Sequence, residues 1–320
     1  MIKVFSNLME KKVARIISIL TVISIIAIGA WWINIPFLDS KAQPQFTVLA
    51  STSIIADALD ELLSENIEIK TLISNTTIPF YYAPSANDID KIKSADLIVV
   101  NGLNLEGQLY ETLKQKRFAD KKVIVISDGI RNKSKLLTID GTDEFDPHIW
   151  QSIDLWSDAV MYLSKKLQLV FPEQYNEIEY RNKIFQMELD HLKRELIVMV
   201  IDVPLNRRFF VTEYNAFQYY KQAFYIDSLP MHTGRALDEL TSIEKQEFID
   251  KIIEKDAHAI FPLHSSFHNR TKNIAELSLK NDWPLDMGPA LYGYNIGTIN
   301  GYDRYISMFR HNIKSIVDEL

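Results

Sequence analysis

No cysteine occurs among the 320 residues. That absence excludes a disulfide framework, a zinc–thiolate site, a thiol nucleophile and an acylated lipoprotein cysteine. Basic residues are outnumbered, 35 Lys and Arg against 42 Asp and Glu, for a net charge of −7. Nucleic acid is therefore not an expected partner, because no basic footprint is present. There is no Gly-x-Ser-x-Gly elbow of a serine hydrolase. The stretch Gly102-Leu-Asn-Leu-Glu-Gly107 has neither dinucleotide-turn spacing nor a P-loop lysine. Asp143, Glu144 and Asp146 form a short acidic group, expected to be a solvated loop, and no carboxylate pair stands out for acid–base work. The chain reads as a binding protein, not an enzyme. Low-complexity tracts and recognisable internal repeats are also missing.

What is present is an ordinary globular composition, 47% hydrophobic and 24% charged, with length enough for two medium-sized lobes. Lys3, Lys11, Lys12 and Arg15 precede an uncharged run from Ile16 to Leu38. A bilayer takes roughly 20 apolar residues, so this run predicts a transmembrane helix with its N-terminus cytoplasmic and everything after Asp39 outside. Trp31 and Trp32 suit the outer interface. Ser40-Lys41-Ala42 offers the small residues of a signal-peptidase site ahead of Gln43. Residues 1–42 are thus an anchor or a cleaved signal, and either one exports the rest.

From residue 46 short apolar runs alternate with helical segments. Strands are expected at 46–50, 67–72, 97–100 and 123–126, with helices at 52–64, 86–94 and 105–117 between them. A second set follows: strands at 209–212, 257–261 and near 283–285, with helices at 215–224, 242–255, 270–280 and 303–319. Between the sets, Ile178, Phe185, Leu189, Leu192, Leu196 and Met199 recur at helical spacing over 174–200, flanked by Pro172 and Pro204. This segment is either a helix of one lobe or a connector between two. The expected fold class is α/β: two lobes of parallel sheet flanked by helices, joined by one long connecting helix and preceded by the transmembrane helix. The boundaries are 43–172, 173–204 and 205–320.

Ligands of open α/β sheets bind beyond the carboxyl ends of the strands, and there four motifs stand in order. They are Ala95-Asp-Leu-Ile-Val-Val-Asn-Gly-Leu-Asn-Leu-Glu-Gly107, Asp146-Pro-His-Ile-Trp150, Val211-Thr-Glu-Tyr-Asn-Ala-Phe-Gln-Tyr219 and Tyr305-Ile-Ser-Met-Phe-Arg-His-Asn-Ile-Lys314. Together they resemble the zinc/manganese/iron-binding receptors of ABC importers, the cluster A-I solute-binding proteins. The resemblance runs from about Phe46 to Leu320. It implies two lobes with little hinge motion, and a cleft that captures a metal ion outside the cytoplasm and delivers it to an ABC permease in the membrane.

The resemblance also implies four ligand positions. His148 matches the histidine of the second motif. Phe80 stands where the family has its first histidine, within Ile78-Pro-Phe-Tyr-Tyr-Ala-Pro84. Tyr214 and Tyr294 align with the remaining two. Phe cannot donate a lone pair, and a neutral Tyr is a poor ligand for zinc or manganese. Three readings follow. In the first, His232, His264 and His268 supply a different ligand set, His264 and His268 at i,i+4. In the second, Tyr214, Tyr294, His148 and Tyr81 hold ferric iron as phenolate and imidazole. In the third, the aromatic residues Phe80, Tyr81, Tyr214 and Tyr294 line a pocket for an organic ligand or fill the cleft of a membrane-complex scaffold. The cargo is accordingly one metal ion (zinc, manganese or iron), or none.

Overall fold

The computed structural model describes residues 17–24, 46–139, 141–231, 240–264, 269–298 and 301–320. The chain divides into two compact units, Met1–Gln45 and Phe46–Leu320. In the first unit, residues 17–24 are helical and exposed. The rest of the apolar run, with Trp31, Trp32 and the 40–42 site, lies outside the described residues. Among the described residues no helix is long and apolar enough to cross a membrane.

The second unit holds two four-stranded parallel sheets of the same order. The first comprises β1 (Thr47–Ala50), β2 (Glu68–Thr71), β3 (Leu97–Val100) and β4 (Lys122–Val125), ordered β2-β1-β3-β4. Val48 is aligned with Ile69 on one side and Leu97 on the other. The second comprises β5 (Phe209–Thr212), β6 (Asp227–Pro230), β7 (Ala259–Phe261) and β8 (Asp286–Met287), ordered β6-β5-β7-β8. All four residues of β3, Leu-Ile-Val-Val, are buried. A central parallel strand is covered on both faces and so reads as a continuous apolar run rather than an alternating one.

Helices α1 (Ser53–Leu62), α2 (Ala86–Ser94) and α3 (Gly107–Leu113) belong to the first sheet, and α6 (Tyr220–Phe224), α7 (Ser242–Glu254) and α8 (Asn269–Lys280) to the second. Their starts are written in the sequence: Ser85 with Asp88 and Thr241 with Glu244 form reciprocal capping boxes. Between the sheets run α4 (Ile153–Val170) and α5 (Tyr175–Ile201), and α9 (Tyr305–Glu319) closes the chain. The 27-residue α5 forms over the expected 174–200 helical segment and buries Ile178, Phe185, Leu189, Leu192, Leu196 and Val200.

One core joins both halves. It gathers Val48, Leu97 and Ile124 from the first sheet, Phe210 and Phe261 from the second, and the inner faces of α4, α5 and α9. Smaller cores around Ile92 and Ile98, and around Ile249 and Ile260, serve one sheet each. Several expectations are corrected. The 105–117 helix is cut to Gly107–Leu113, because Gly102, Leu103 and Asn104 take left-handed backbone angles and a separate 3-10 turn forms at Lys116–Phe118. The 215–224 helix shortens to Tyr220–Phe224. The last strand falls at Asp286–Met287, and α4 and β6 appear where no element was expected.

Candidate functional site

The carboxyl ends of β1 and β3 are tied together by a buried carboxylate. Glu106 accepts from the Ser51 hydroxyl at 2.6 Å and from the backbone N–H groups of Asn101 at 2.6 Å and Gly102 at 3.2 Å. Burial raises its carboxyl pKa while these donors oppose the rise. The turn this requires favours glycine at 102, where φ is +85° and a Cβ would collide with the Val125 side chain.

His148 follows from a local Asx turn. The Asp146 carboxylate accepts the His148 backbone N–H at 2.9 Å and also pairs with ring Nδ1 at 2.5 Å. Asp146 is 1% and His148 3% exposed, which corrects the expectation that Asp146 belongs to a solvated loop. With Nδ1–H donating to the carboxylate, Nε2 carries the lone pair, and it is buried with no hydrogen-bond partner. A carboxylate behind one imidazole nitrogen and an open lone pair on the other is the arrangement of a metal-ligating histidine.

Around that imidazole the aligned aromatic residues come together. Ring centres lie 6.0 Å from His148 to Phe80, 5.3 Å to Tyr294 and 5.3 Å to Trp150, with Tyr214 6.5 Å beyond Tyr294. Phe80 sits in the 3-10 turn Pro79–Tyr81, Tyr214 in the loop after β5, and Tyr294 in the loop before α9. Tyr81 is exposed at the edge, near enough to act electrostatically on both tyrosines. Burial pushes the Tyr294 phenol far above its usual range, and Tyr214, Asp146 and Tyr81 add to the shift. The Tyr214 phenol is also raised, chiefly by burial, while Arg270 opposes. Arg270, from α8, donates Nη1–H to the Tyr214 hydroxyl at 2.6 Å.

The loop carrying Tyr294 is stitched to the first half of the unit. Trp150 donates Nε1–H to the Gly293 carbonyl at 3.0 Å, Gln151 Nε2 reaches Tyr292 and Gly293 at 3.2 Å, and Asn75 donates to the Ile296 carbonyl at 3.2 Å. Of the alternative set His232, His264 and His268, only His264 lies among the described residues. The His264 ring stacks on Tyr292 at 3.9 Å, in a separate group with Tyr302 and His311. His232 and His268 lie outside the described residues. Among the described residues no group of three or more His, Cys, Asp or Glu is placed to hold a metal.

Two residues of this site were not among the expected site residues. Asp146 orients His148, a role its Asp-Pro-His spacing signals through the Asx turn. Arg270 reaches Tyr214 only through the packing of α8, and no sequence signal marks it.

The family model described as "Zinc-uptake complex component A periplasmic" matches residues 48–319. The chain is 26% identical over 283 residues to the zinc-binding protein TroA of Treponema pallidum, covering 88% of this chain and 91% of that protein. It is 28% identical over 284 residues to the manganese-binding lipoprotein MntA of Bacillus subtilis, with the same coverage of 88% and 91%. The solved structure of T. pallidum periplasmic zinc-binding TroA matches with a TM-score of 0.79 at 27% identity, covering 85% of this chain and 98% of that one. The two-lobed fold is therefore shared with that protein.

Proposed function

Because the chain belongs to the family of periplasmic component A proteins of zinc-uptake complexes, we propose that it is the extracytoplasmic receptor of a metal-ion ABC importer. It captures an ion outside the cytoplasmic membrane and hands it to a permease. The observation that carries this reading to the site is the buried His148, backed by Asp146 and presenting an unpartnered Nε2. The B. subtilis relative is by name a lipoprotein. This chain has no cysteine to acylate, so the N-terminal apolar run, 16–38, takes over as anchor or export signal.

The donor set is His148 Nε2 with the phenol oxygens of Tyr214 and Tyr294, and Phe80 contributes none. Phenolate is a hard oxygen ligand, and ligand softness sorts metals. Both phenols are held protonated by burial, so only an ion with a strong local field displaces those protons. That favours ferric iron over zinc or manganese. Arg270 supports the choice, since its N–H stabilises a phenolate at Tyr214.

The test is elemental analysis with visible absorption on protein loaded separately with Fe(III), Zn(II) and Mn(II). The expected result is near-stoichiometric iron with a phenolate-to-iron charge-transfer band that Tyr294→Phe weakens and His148→Ala abolishes. Colourless protein holding zinc or manganese overturns the ferric cargo and leaves the receptor reading standing. No bound metal under any loading overturns both.

A further inference from the structure

Helix α5 carries a second stripe, on the face opposite its buried one. Tyr180, Ile184, Met187, His191, Arg194, Val198 and Ile201 follow one another at steps of 4, 3, 4, 3, 4 and 3 residues. Leu205, in the turn past the helix end, stands at the next step. Five of these side chains are large apolar groups 65–70% exposed: Tyr180, Met187, Val198, Ile201 and Leu205. Ile184 is 41% exposed. Scattered exposed apolar residues are ordinary, but a contiguous row marks an interaction site. A 4-3 repeat sustained over three heptads with charged flanks is the pattern of a coiled-coil seam. A groove of about 590 Å³ runs beside it, completed by Ile306 and Arg310 near the start of α9.

We propose that this seam pairs with the same seam of a second copy of the chain, the two α5 helices running antiparallel. The stripe is self-complementary in that direction alone. Turned about a two-fold axis between residues 192 and 193, it sets Ile184 against Ile201, Met187 against Val198 and Tyr180 against Leu205. The two polar members, His191 and Arg194, meet only each other at the centre. Shifting the register by one heptad puts Arg194 on Ile184. Parallel pairing stacks Arg194 on its own copy.

The flanking positions agree. Arg181 of one copy faces Asp202 of the other, a charge-complementary pair. Glu188 faces Glu195, but each already has a cation of its own chain beside it, Arg304 at 3.4 Å and Arg310 at 2.7 Å. Polar residues at one layer of an apolar seam fix register and orientation. The pairing leaves the cargo site untouched, so it stands whether or not the ferric reading does.

The absence of cysteine makes the test direct. Full-length chains carrying Met187→Cys or Val198→Cys alone are co-expressed, and membranes are oxidised with copper–phenanthroline. An antiparallel seam gives a disulfide dimer only when both variants are present. It gives a particle of twice the 37.0 kDa chain mass by light scattering in detergent. Adding Ile184→Lys and Ile201→Lys removes both signals at unchanged melting temperature, since both side chains are partly or largely exposed. A 187–187 disulfide from the single variant overturns the antiparallel arrangement. No disulfide in any combination overturns the pairing. If a water-soluble maleimide is then also blocked at residue 187 by the bilayer, the stripe is a membrane-facing surface instead.

Discussion

Phe80→His tests whether the aromatic cluster is the cargo site. Two imidazoles bound to one zinc, with Zn–N about 2.1 Å, place their ring centres roughly 5 Å apart. The Phe80 and His148 rings are 6.0 Å apart, so a histidine at 80 closes the difference with a small rotation. Phe and His are both flat rings, and Phe80 is only partly buried, so the cost to stability is about 1 kcal/mol. Partners behind the ligands alone are worth roughly 10–100-fold in metal affinity. A direct nitrogen ligand takes that range as its floor, about 1.4–2.8 kcal/mol. Competition against a chromogenic chelator should therefore show zinc binding tightened at least about tenfold, with iron changed far less. Cobalt(II) substitution should give the stronger visible bands of a four-coordinate site. Unchanged zinc affinity in a stably folded Phe80→His protein would refute the reasoning, because Phe80 would not then face the ion.

Asp146→Asn removes the carboxylate that fixes the His148 tautomer, and metal affinity by titration should fall about 10–100-fold. Arg270→Gln removes the cationic donor to Tyr214; at about 1.5–3 kcal/mol for a charged hydrogen bond, ferric affinity should drop tenfold or more while Arg270→Lys retains part of it. Asp57 supplies a pH test away from the site. Burial raises its carboxyl to about 7; Glu61 and Asp60 add to this, and the Tyr305 N–H and Arg304 oppose it. A folded pKa above the unfolded one means stability is fully present below pH 4 and is lost as pH rises towards 7. Asp57→Asn should then raise stability by roughly 2–4 kcal/mol at pH 8 and leave it unchanged at pH 4, read by urea denaturation at the two values.

The central strands were legible because a strand covered on both faces is a run of apolar residues, as Leu97–Val100 is. Edge strand β6 was not. Its sequence Asp-Ser-Leu-Pro is only half-buried, and Pro is tolerated there because an edge leaves N–H groups unpaired. Helix α4 does carry its signal: Ser152 caps it, and Ile153, Trp156, Val160, Leu163 and Leu167 recur along one buried face. Its motif-bearing neighbour, Asp146–Trp150, gave no hint of where a helix would begin. At the site, His148, Tyr214, Tyr294 and Phe80 were located by resemblance to family motifs and do meet in space. Of the His264–His268 spacing only His264 is described, and its ring stacks on Tyr292. Spacing alone does not say which partner a ring finds. Arg270 could not be found from sequence because its role depends on how α8 lies against the loop after β5.

The shared core and the stitched 291–297 loop have a consequence for how the protein melts and how it lets go. With Phe210, Leu97 and α5 in one cluster, neither sheet has a boundary along which to separate. The 46–320 unit should unfold in a single cooperative transition, its calorimetric and van't Hoff enthalpies equal. On the proposed receptor reading, cargo escape is for the same reason not expected to follow a clamshell opening. On that reading, dissociation is expected to proceed by local opening of the Tyr294 loop, which is pinned by hydrogen bonds to Asn75, Trp150, Gln151, Ser53 and Asn312. Its activation energy is then that of a local opening, below the free energy of global unfolding. A permease that competes for those backbone carbonyls would speed release without moving either sheet.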